Sequence, residues 1–257
     1  MNTSPNSRFT MSREVTVGCA SWRLFSYETV TSTNDLAREL PPWSAVRATS
    51  QTAGRGRFGR SFVSDLGGLW LSATLPAPGD PSRWNGFSLM VGHHLLLALK
   101  ELKVPEARLR WPNDLMSGRK KLAGLLIEQG GRQQLTVGIG MNVQNAPWTF
   151  DPSLADSTTR LAELSGAVPS LDALTVSLLD RLDNAYQAML AGGLESAIRA
   201  LNMLWSGCPV EITSTAGEII GGNFLGLDEG ANLRIVTEQG DERRVLHHHV
   251  ARLKELR

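Results

Sequence analysis

The stretch Gln51-Thr52-Ala53-Gly54-Arg55-Gly56-Arg57-Phe58-Gly59-Arg60 places three arginines on a backbone loosened by three glycines. Glycines let main-chain N–H groups come close to an anion, and guanidinium forks grip phosphate or carboxylate. Formally the stretch contains G-x-G-x-x-G. A dinucleotide fold, however, needs a helix directly after the loop and an acidic residue about 20 positions further on. Here Gly67-Gly68 and a strand-like run follow, and the nearest acid, Asp80, lies among prolines. The dinucleotide reading fails. An anion-binding loop, an exposed basic turn and an Arg-Gly nucleic-acid tract remain.

A second segment, Arg110-Trp111-Pro112-Asn113-Asp114, is followed by Arg119-Lys120-Lys121-Leu122-Ala123-Gly124. Pro112 holds Trp111 extended and turns the chain, which presents Asn113 and Asp114 together. Arg119 and Lys120 read as a solvated turn. Lys121 enters the next strand, where an inward lysine is unusual unless it faces an anion. In the third segment, Val137-Gly138-Ile139-Gly140-Met141-Asn142-Val143, two glycines weaken a strand unless something must approach its backbone. A bulge closed by Asn142 is the plainer alternative.

The surrounding elements follow from patterning. A short helix is predicted over Asp35–Leu40, stopped by Pro41-Pro42. Strands are predicted over Ala45–Gln51 and Leu69–Leu75, a helix over about Ser82–Leu102, and a strand over Arg108–Trp111 ahead of a loop from Pro112 to Lys120. Leu122–Gln129 and Leu135–Val143 flank Gly130-Gly131 as a hairpin. Helices return over Leu171–Leu190, capped by Ser170, and over Leu194–Trp205. After Gly207 short strands alternate with turns, as in a small β-barrel. His93 and His94 read as helix-packing residues. His247, His248 and His249, which would alternate faces on a strand, make a poor metal site.

The fold class predicted is therefore α+β, a mixed sheet backed by helices and followed by a β module. The expected division is a loosely held tail over 1–22, a main sheet-and-helix domain over 23–206 and a β domain over 207–257. Met11 is an alternative start to Met1. In 257 residues, 42% hydrophobic and 20% charged, an ordinary soluble chain is expected. A formal charge of +1 excludes a general polyanion-binding field. Cys19 and Cys208 lack metal-ligand spacing and read as reduced thiols, and no signal peptide or membrane span is visible. A cytoplasmic location is expected, without nucleic-acid or membrane partners.

Taken in order, Thr31-Ser32-Thr33-Asn34, the Gln51–Arg57 stretch, Trp111-Pro112-Asn113-Asp114, Lys121-Leu122-Ala123-Gly124 and Gly138-Ile139-Gly140-Met141-Asn142 resemble the biotin–protein ligase family. The resemblance runs from about Phe25 to the C-terminus. It implies a class II synthetase-like core with an SH3-like C-terminal domain. It also implies an enzyme that converts biotin and ATP to biotinyl-AMP and passes biotin to a lysine of a biotin carboxyl carrier domain of an acyl-CoA carboxylase. The implied oligomeric state is a monomer or homodimer. Because only a short stretch precedes Tyr27, a form without the DNA-binding domain of regulatory members, and so without a repressor role, is expected.

By the same resemblance, biotin is held by Ser32, Thr33, Asn34, Gln51, Gly54, Arg55, Lys121, Gly124, Leu126, Gly138 and Met141. The first polar members suit a ureido ring with two N–H donors and a carbonyl. ATP is met by Arg55, Arg57, Phe62, Trp111, Asn113, Lys121 and Asn142. Lys121, Arg57 and Asp114 are the catalytic candidates, the two cations bridging the biotin carboxylate and the α-phosphate. No metal is expected on protein ligands alone; Mg²⁺ accompanies ATP near Asn142. Phe62 stands where the family commonly has tryptophan, and Met141 where Ile or Leu is more usual. A lipoate or octanoate ligase shares the fold, but its ligand offers no ureido partner to Ser32, Thr33 and Gln51. A non-catalytic homologue is disfavoured by the presence of both Arg57 and Lys121.

Overall fold

In the computed structural model, which describes residues 8–130, 133–205 and 208–256, apolar and β-branched runs build one large sheet. Its strands are β1 (Phe9–Val17), β2 (Ala20–Val30), β3 (Ser44–Gln51), β4 (Leu69–Pro76), β5 (Ala107–Arg110), β6 (Asp114–Ser117), β7 (Lys120–Gly130) and β8 (Gln134–Met141). They lie in the order β1-β2-β3-β4-β8-β7-β6-β5. Every neighbouring pair is antiparallel except β2 and β3. A parallel pair cannot be joined by a tight turn, and helix α1 (Thr33–Arg38) provides the crossover.

The central strands β4 and β8 are buried along nearly their whole length, so their two faces can be told apart by partner. On one face Leu71, Ala73, Leu75, Val137 and Ile139 join the main core with helices α2 (Phe87–Glu101) and α4 (Leu171–Leu190). On the other, Thr74 donates to the Ala37 carbonyl at 2.6 Å and Ser72 approaches α1, so this face carries polar groups beneath α1. The short α3 (Leu161–Leu164) and α5 (Leu194–Trp205) complete the helices.

The expected helix over Ser82–Leu102 is two elements. A 3-10 turn spans Pro81–Trp84, and Gly86 at φ 82° breaks the chain before α2 begins. The expected tail over 1–22 is corrected from Phe9 onward. Its alternation was masked by an exposed, polar sequence, yet β1 pairs with β2 and forms the sheet edge. Asp183 of α4 accepts from the Cys19 N–H at 2.9 Å and ties the β1–β2 turn to the helix layer. The Pro112–Lys120 loop likewise contains a strand, β6, closed onto β7 by a turn with Gly118 at φ 54°. Gly131 of the expected Gly130-Gly131 turn lies outside the described residues, as does the expected boundary at 206/207.

A separate sheet follows: β9 (Pro209–Ser214), β10 (Ile219–Leu227), β11 (Leu233–Val236), β12 (Glu242–Val245) and β13 (Val250–Glu255), all antiparallel, in the order β12-β11-β10-β9-β13. This is a small module of the SH3-like kind. His247–His249 form a 3-10 turn between β12 and β13, so these histidines do not alternate along a strand. The module docks against the large sheet: Trp111 Nε1 donates to the Ala231 carbonyl at 3.0 Å, and a Cβ on Gly86 would lie 2.8 Å from that of Ala231. No helix among the described residues is long and apolar enough to cross a membrane.

His94 on α2 carries a buried Nδ1 without a hydrogen-bond partner. Burial, reinforced by His93 and by Arg181, pushes its pKa down from 6.5 to about 4. The fold therefore holds it neutral, whereas the unfolded chain protonates it near 6.5. Its contribution is full above 6.5 and is lost as pH falls from 6.5 towards 4, a change of at most about 3 kcal/mol. Urea unfolding at pH 7 and pH 4.5 should show a smaller loss for His94→Gln than for the unsubstituted chain. Equal losses would remove His94 from the acid sensitivity.

Candidate active site

The polar face of the large sheet holds a cavity of about 160 Å³ beneath α1 and the Gly54–Phe62 loop. Three glycines make its floor. A Cβ on Gly138 would lie 2.3 Å from Asn34 Oδ1; one on Gly140, 2.9 Å from the Phe62 ring; and one on Gly124, 2.9 Å from Lys121 Nζ. Gly124 and Gly140 are cross-strand partners, so together they leave a trough in the sheet. The trough orders the site along the strands. Asn34 stands over Gly138, Phe62 over Gly140 and Gly124, and Lys121 beyond Gly124.

At the first end, α1 starts without a side-chain cap. The Ser32 hydroxyl makes no capping bond, and Ser32 lines the cavity. Gln51 Oε1 accepts from the Thr33 N–H at 2.8 Å and its hydroxyl at 3.0 Å, while Gln51 Nε2 donates to Ser64 at 2.8 Å. Ser72 Oγ lies 2.7 Å from Thr33 Oγ1 and 2.6 Å from Asn34 Oδ1. Asn34 Nδ2 donates to Glu128 at 2.9 Å, and Glu128 in turn pairs with Arg38 at 3.1 Å. These buried amides and hydroxyls are mutually oriented before any ligand arrives, which reduces the ordering cost of binding.

The other end is cationic. A register shift between β6 and β7 at Leu115/Met116 brings Lys121 to the same side as Gly124, although they are an odd number of positions, three, apart. Lys121 Nζ sits 2.6 Å from Asp114 Oδ1 and 5.2 Å from the centre of the Phe62 ring. Arg110 takes the other carboxylate oxygen at 2.7 Å. Burial alone would push the Asp114 carboxyl up; the charges of Lys121 and Arg110 outweigh it and hold the group below the usual carboxylate range. A carboxylate so neutralised is a weak proton acceptor, and its geometry is that of a group positioning Lys121.

The Gly54–Phe62 loop closes on itself as a narrow hairpin, with Gly56 N donating to Arg60 O at 2.7 Å and Phe62 N to Gly54 O at 2.8 Å. Phe58 at its tip adopts φ 57°, and its ring lies 4.9 Å from the Arg57 guanidinium. Arg57 donates to the His247 carbonyl at 2.7 Å, and Arg60 to the Ala251 carbonyl at 3.1 Å, so the C-terminal module holds the loop. Burial, then the neighbouring Arg60, push the Arg57 guanidinium below its ordinary value against the opposing pull of Asp114. It stays charged at neutral pH.

Of the candidates from sequence, the cavity is lined by Ser32, Thr33, Asn34, Gln51, Arg55, Arg57, Phe62, Asn113, Asp114, Lys121, Gly124, Leu126 and Gly138. Four lie elsewhere. Met141 is three residues from Gly138 on a strand, which puts it on the opposite face, in the helix-side core. Gly54 lies behind the wall, where a Cβ would stand 2.4 Å from Ser64 Oγ. Trp111 lines a neighbouring cleft. Asn142 donates to the Thr159 carbonyl at 3.1 Å and accepts from Asn145 at 3.0 Å, so both ends of the amide expected to meet nucleotide or Mg²⁺ are engaged in the protein. The Arg55 guanidinium, expected to meet nucleotide, forks onto Asp35 at 2.7 and 2.6 Å. Among the described residues no group of three or more His, Cys, Asp or Glu side chains is placed to hold a metal ion.

Sequence reasoning missed Ser72 and Glu128. Ser72 had a signal, as one of two hydroxyls, with Thr74, on alternate positions of the otherwise apolar strand Leu69-Trp70-Leu71-Ser72-Ala73-Thr74-Leu75. Glu128 had none, since its neighbours Arg38 and Asn34 are about 90 residues away in sequence.

Residues 24–143 match the model of the biotin/lipoate A/B protein ligase family. A biotin protein ligase from Aquifex aeolicus in complex with biotin and ATP superposes with a TM-score of 0.78 at 28% identity, covering 90% of this chain and 98% of that one. The bifunctional ligase/repressor BirA of Bacillus subtilis (strain 168) is 26% identical over 232 residues, which is 84% of this chain and 70% of that protein. The biotin–[acetyl-CoA-carboxylase] ligase of Mycobacterium tuberculosis (strain ATCC 25618 / H37Rv) is 35% identical over 141 residues, 53% of this chain and 51% of that protein. The glycine-floored cavity with its hydroxyl–amide and cationic ends thus lies within the stretch, residues 24–143, that matches the biotin/lipoate A/B protein ligase model, in a chain similar in sequence and fold to biotin protein ligases.

Proposed function

We propose that the chain activates biotin with ATP to biotinyl-5′-AMP and pyrophosphate, and then transfers biotin to a lysine of a biotin carboxyl carrier domain of an acyl-CoA carboxylase. The observation that carries this reading is the order of groups along one trough, from Ser32, Thr33, Asn34, Gln51 and Ser72, past Phe62, to Lys121 and Arg57. A bicyclic ureido ring at the first end finds donors and acceptors for its two N–H groups and its carbonyl. The apolar arm crosses the glycine floor, and the carboxylate arrives at the cations.

The first step joins two anions. A carboxylate oxygen attacks the α-phosphorus, and the bond to the bridging oxygen of pyrophosphate breaks. Lys121 and Arg57 offset the repulsion as negative charge accumulates between them, and they are held in place beforehand, by Asp114 and by the His247 carbonyl. Mg²⁺ bound with ATP would supply further charge neutralisation on the pyrophosphate; among the described residues no cluster of three or more His, Cys, Asp or Glu would hold it. In the second step the lysine nitrogen attacks the acyl carbon and AMP leaves.

The reading is tested by biotin-dependent ATP–pyrophosphate exchange, with lipoate and octanoate alongside. Exchange with biotin alone is expected. Preference for lipoate or octanoate, which have no ureido partner for the first end, would overturn the substrate assignment. Arg57→Gly should release biotinyl-AMP from the protein at least about tenfold faster, because a charged hydrogen bond of roughly 1.5–3 kcal/mol is removed where loop meets C-terminal module. Rapid gel filtration of the preformed intermediate measures this, and an unchanged release rate would count against the role of Arg57.

A further inference from the structure

A second cavity of about 240 Å³ opens on the helix side of the large sheet, between the N-terminus of α2 and the C-terminal module. It shares Arg57, Asn113 and Leu125 with the glycine-floored cavity, so the two meet at the cationic end of the site. Its inner walls are the buried rings of Trp84, Phe87 and Trp111. Asn85 and Gln129 are exposed at its mouth, and Ala231 and His247 close it from the C-terminal module. Among the described residues no carboxylate lines it, and Arg57 and His247 are its titratable lining groups; Asp114, which lines the adjoining cavity, is turned to Lys121 and Arg110.

Resting on the ligase reading above, we propose that this cleft admits the side chain of the acceptor lysine from the partner protein and delivers its amine uncharged to the acyl-adenylate. An ammonium cannot attack a carbonyl, and Asp114, neutralised by two cations, is a poor base for it. The cleft removes the need for a strong base. Aromatic walls accept the four methylenes and strip water from the nitrogen, and Arg57 at the inner end repels a second positive charge; both effects favour the neutral amine. The first proton stays in solvent at the mouth. The nitrogen lone pair then forms the C–N bond, the bond from the acyl carbon to the AMP oxygen breaks, and the departing phosphate takes the second proton. The joint between the cavities is what commits the cleft to this occupant, because a chain threaded through it arrives where the first cavity ends.

The test separates the two half-reactions. Ile127, half-buried in the cleft wall and on the opposite strand face from Gly124 and Leu126, is replaced by tryptophan to fill the passage. Ile127→Trp should leave biotin-dependent pyrophosphate exchange within about twofold and slow single-turnover transfer to a purified biotin carboxyl carrier domain at least tenfold. Transfer and exchange both within twofold would overturn the proposal. If Ile127→Trp loses exchange as well, Asn85→Trp at the exposed mouth is read by the same two criteria. Attack of n-butylamine on the preformed, enzyme-bound adenylate supplies the second readout. Its rate should level off well below the ordinary alkylamine range near pH 10.4, and levelling at or above that range would overturn the neutral-amine role. If the unsubstituted chain shows no exchange with biotin, the ligase reading itself fails, and the cleft's role falls with it. That result differs from every outcome in which exchange survives and transfer is compared.

Discussion

Lys121→Ala is expected to lower biotin-dependent ATP–pyrophosphate exchange by at least about a hundredfold, the scale for removing a preorganised charge from a developing anion. The lysine lies at the end of the trough with its ammonium 2.6 Å from Asp114 Oδ1 and against the Phe62 ring, so its position is set before substrate arrives. Removing it leaves two negative groups facing each other across a low-dielectric space with only the loop arginines, Arg57 foremost, among the cations lining the cavity. It also releases Asp114 from one of its two partners, so the carboxyl should move up towards its ordinary range. Lys121→Arg should restore little, because a planar fork does not fit the pocket between Gly124 and Phe62 where a compact ammonium sits. Near-normal exchange by Lys121→Ala would remove this residue from the chemistry.

Gly138→Ala should weaken biotin binding by roughly 5- to 150-fold. A Cβ there would stand 2.3 Å from Asn34 Oδ1 and 3.0 Å from Asn34 Cγ, closer than side chains tolerate. Asn34 is buried and cannot swing out without giving up Ser72 and Glu128, and each buried polar group left unpaired costs about 1–3 kcal/mol. The affinity loss follows because the same groups orient Thr33 and Gln51. Isothermal titration with biotin measures it. In an Asn34→Gly background the added methyl has nothing to displace, so the further loss from Gly138→Ala should be small. Equal losses in both backgrounds would show that the methyl acts elsewhere.

Five of the eight strands of the large sheet, β3, β4, β5, β7 and β8, were legible in the sequence, and α4 was read with its observed bounds from the spacing of Leu174, Leu178 and Leu182. β1, β2 and β6 were not, and two of these have a plain physical cause. β1 is an edge strand, largely exposed, and carries no alternation strong enough to announce it. β6 is a short strand whose pairing partners, not its composition, make it a strand.

Within the site, local motifs named the residue types, whereas faces and partners came from the fold. A glycine inside an apolar strand announces a close approach, and the Gly-Arg loop and the Asn113-Asp114 pair announce polar chemistry, because those properties reside in a few neighbouring residues. Strand parity separates Met141 from Gly138, and a register shift joins Lys121 to Gly124; both depend on pairing between strands. The fork of Arg55 onto Asp35, the engagement of Asn142 with Thr159 and Asn145, and the grip of His247 on Arg57 depend on contacts at long separation or between modules. A one-dimensional pattern encodes what a segment prefers and which atoms it offers. Which of those atoms remain free for a ligand is decided only when distant segments have taken their share of the hydrogen bonds.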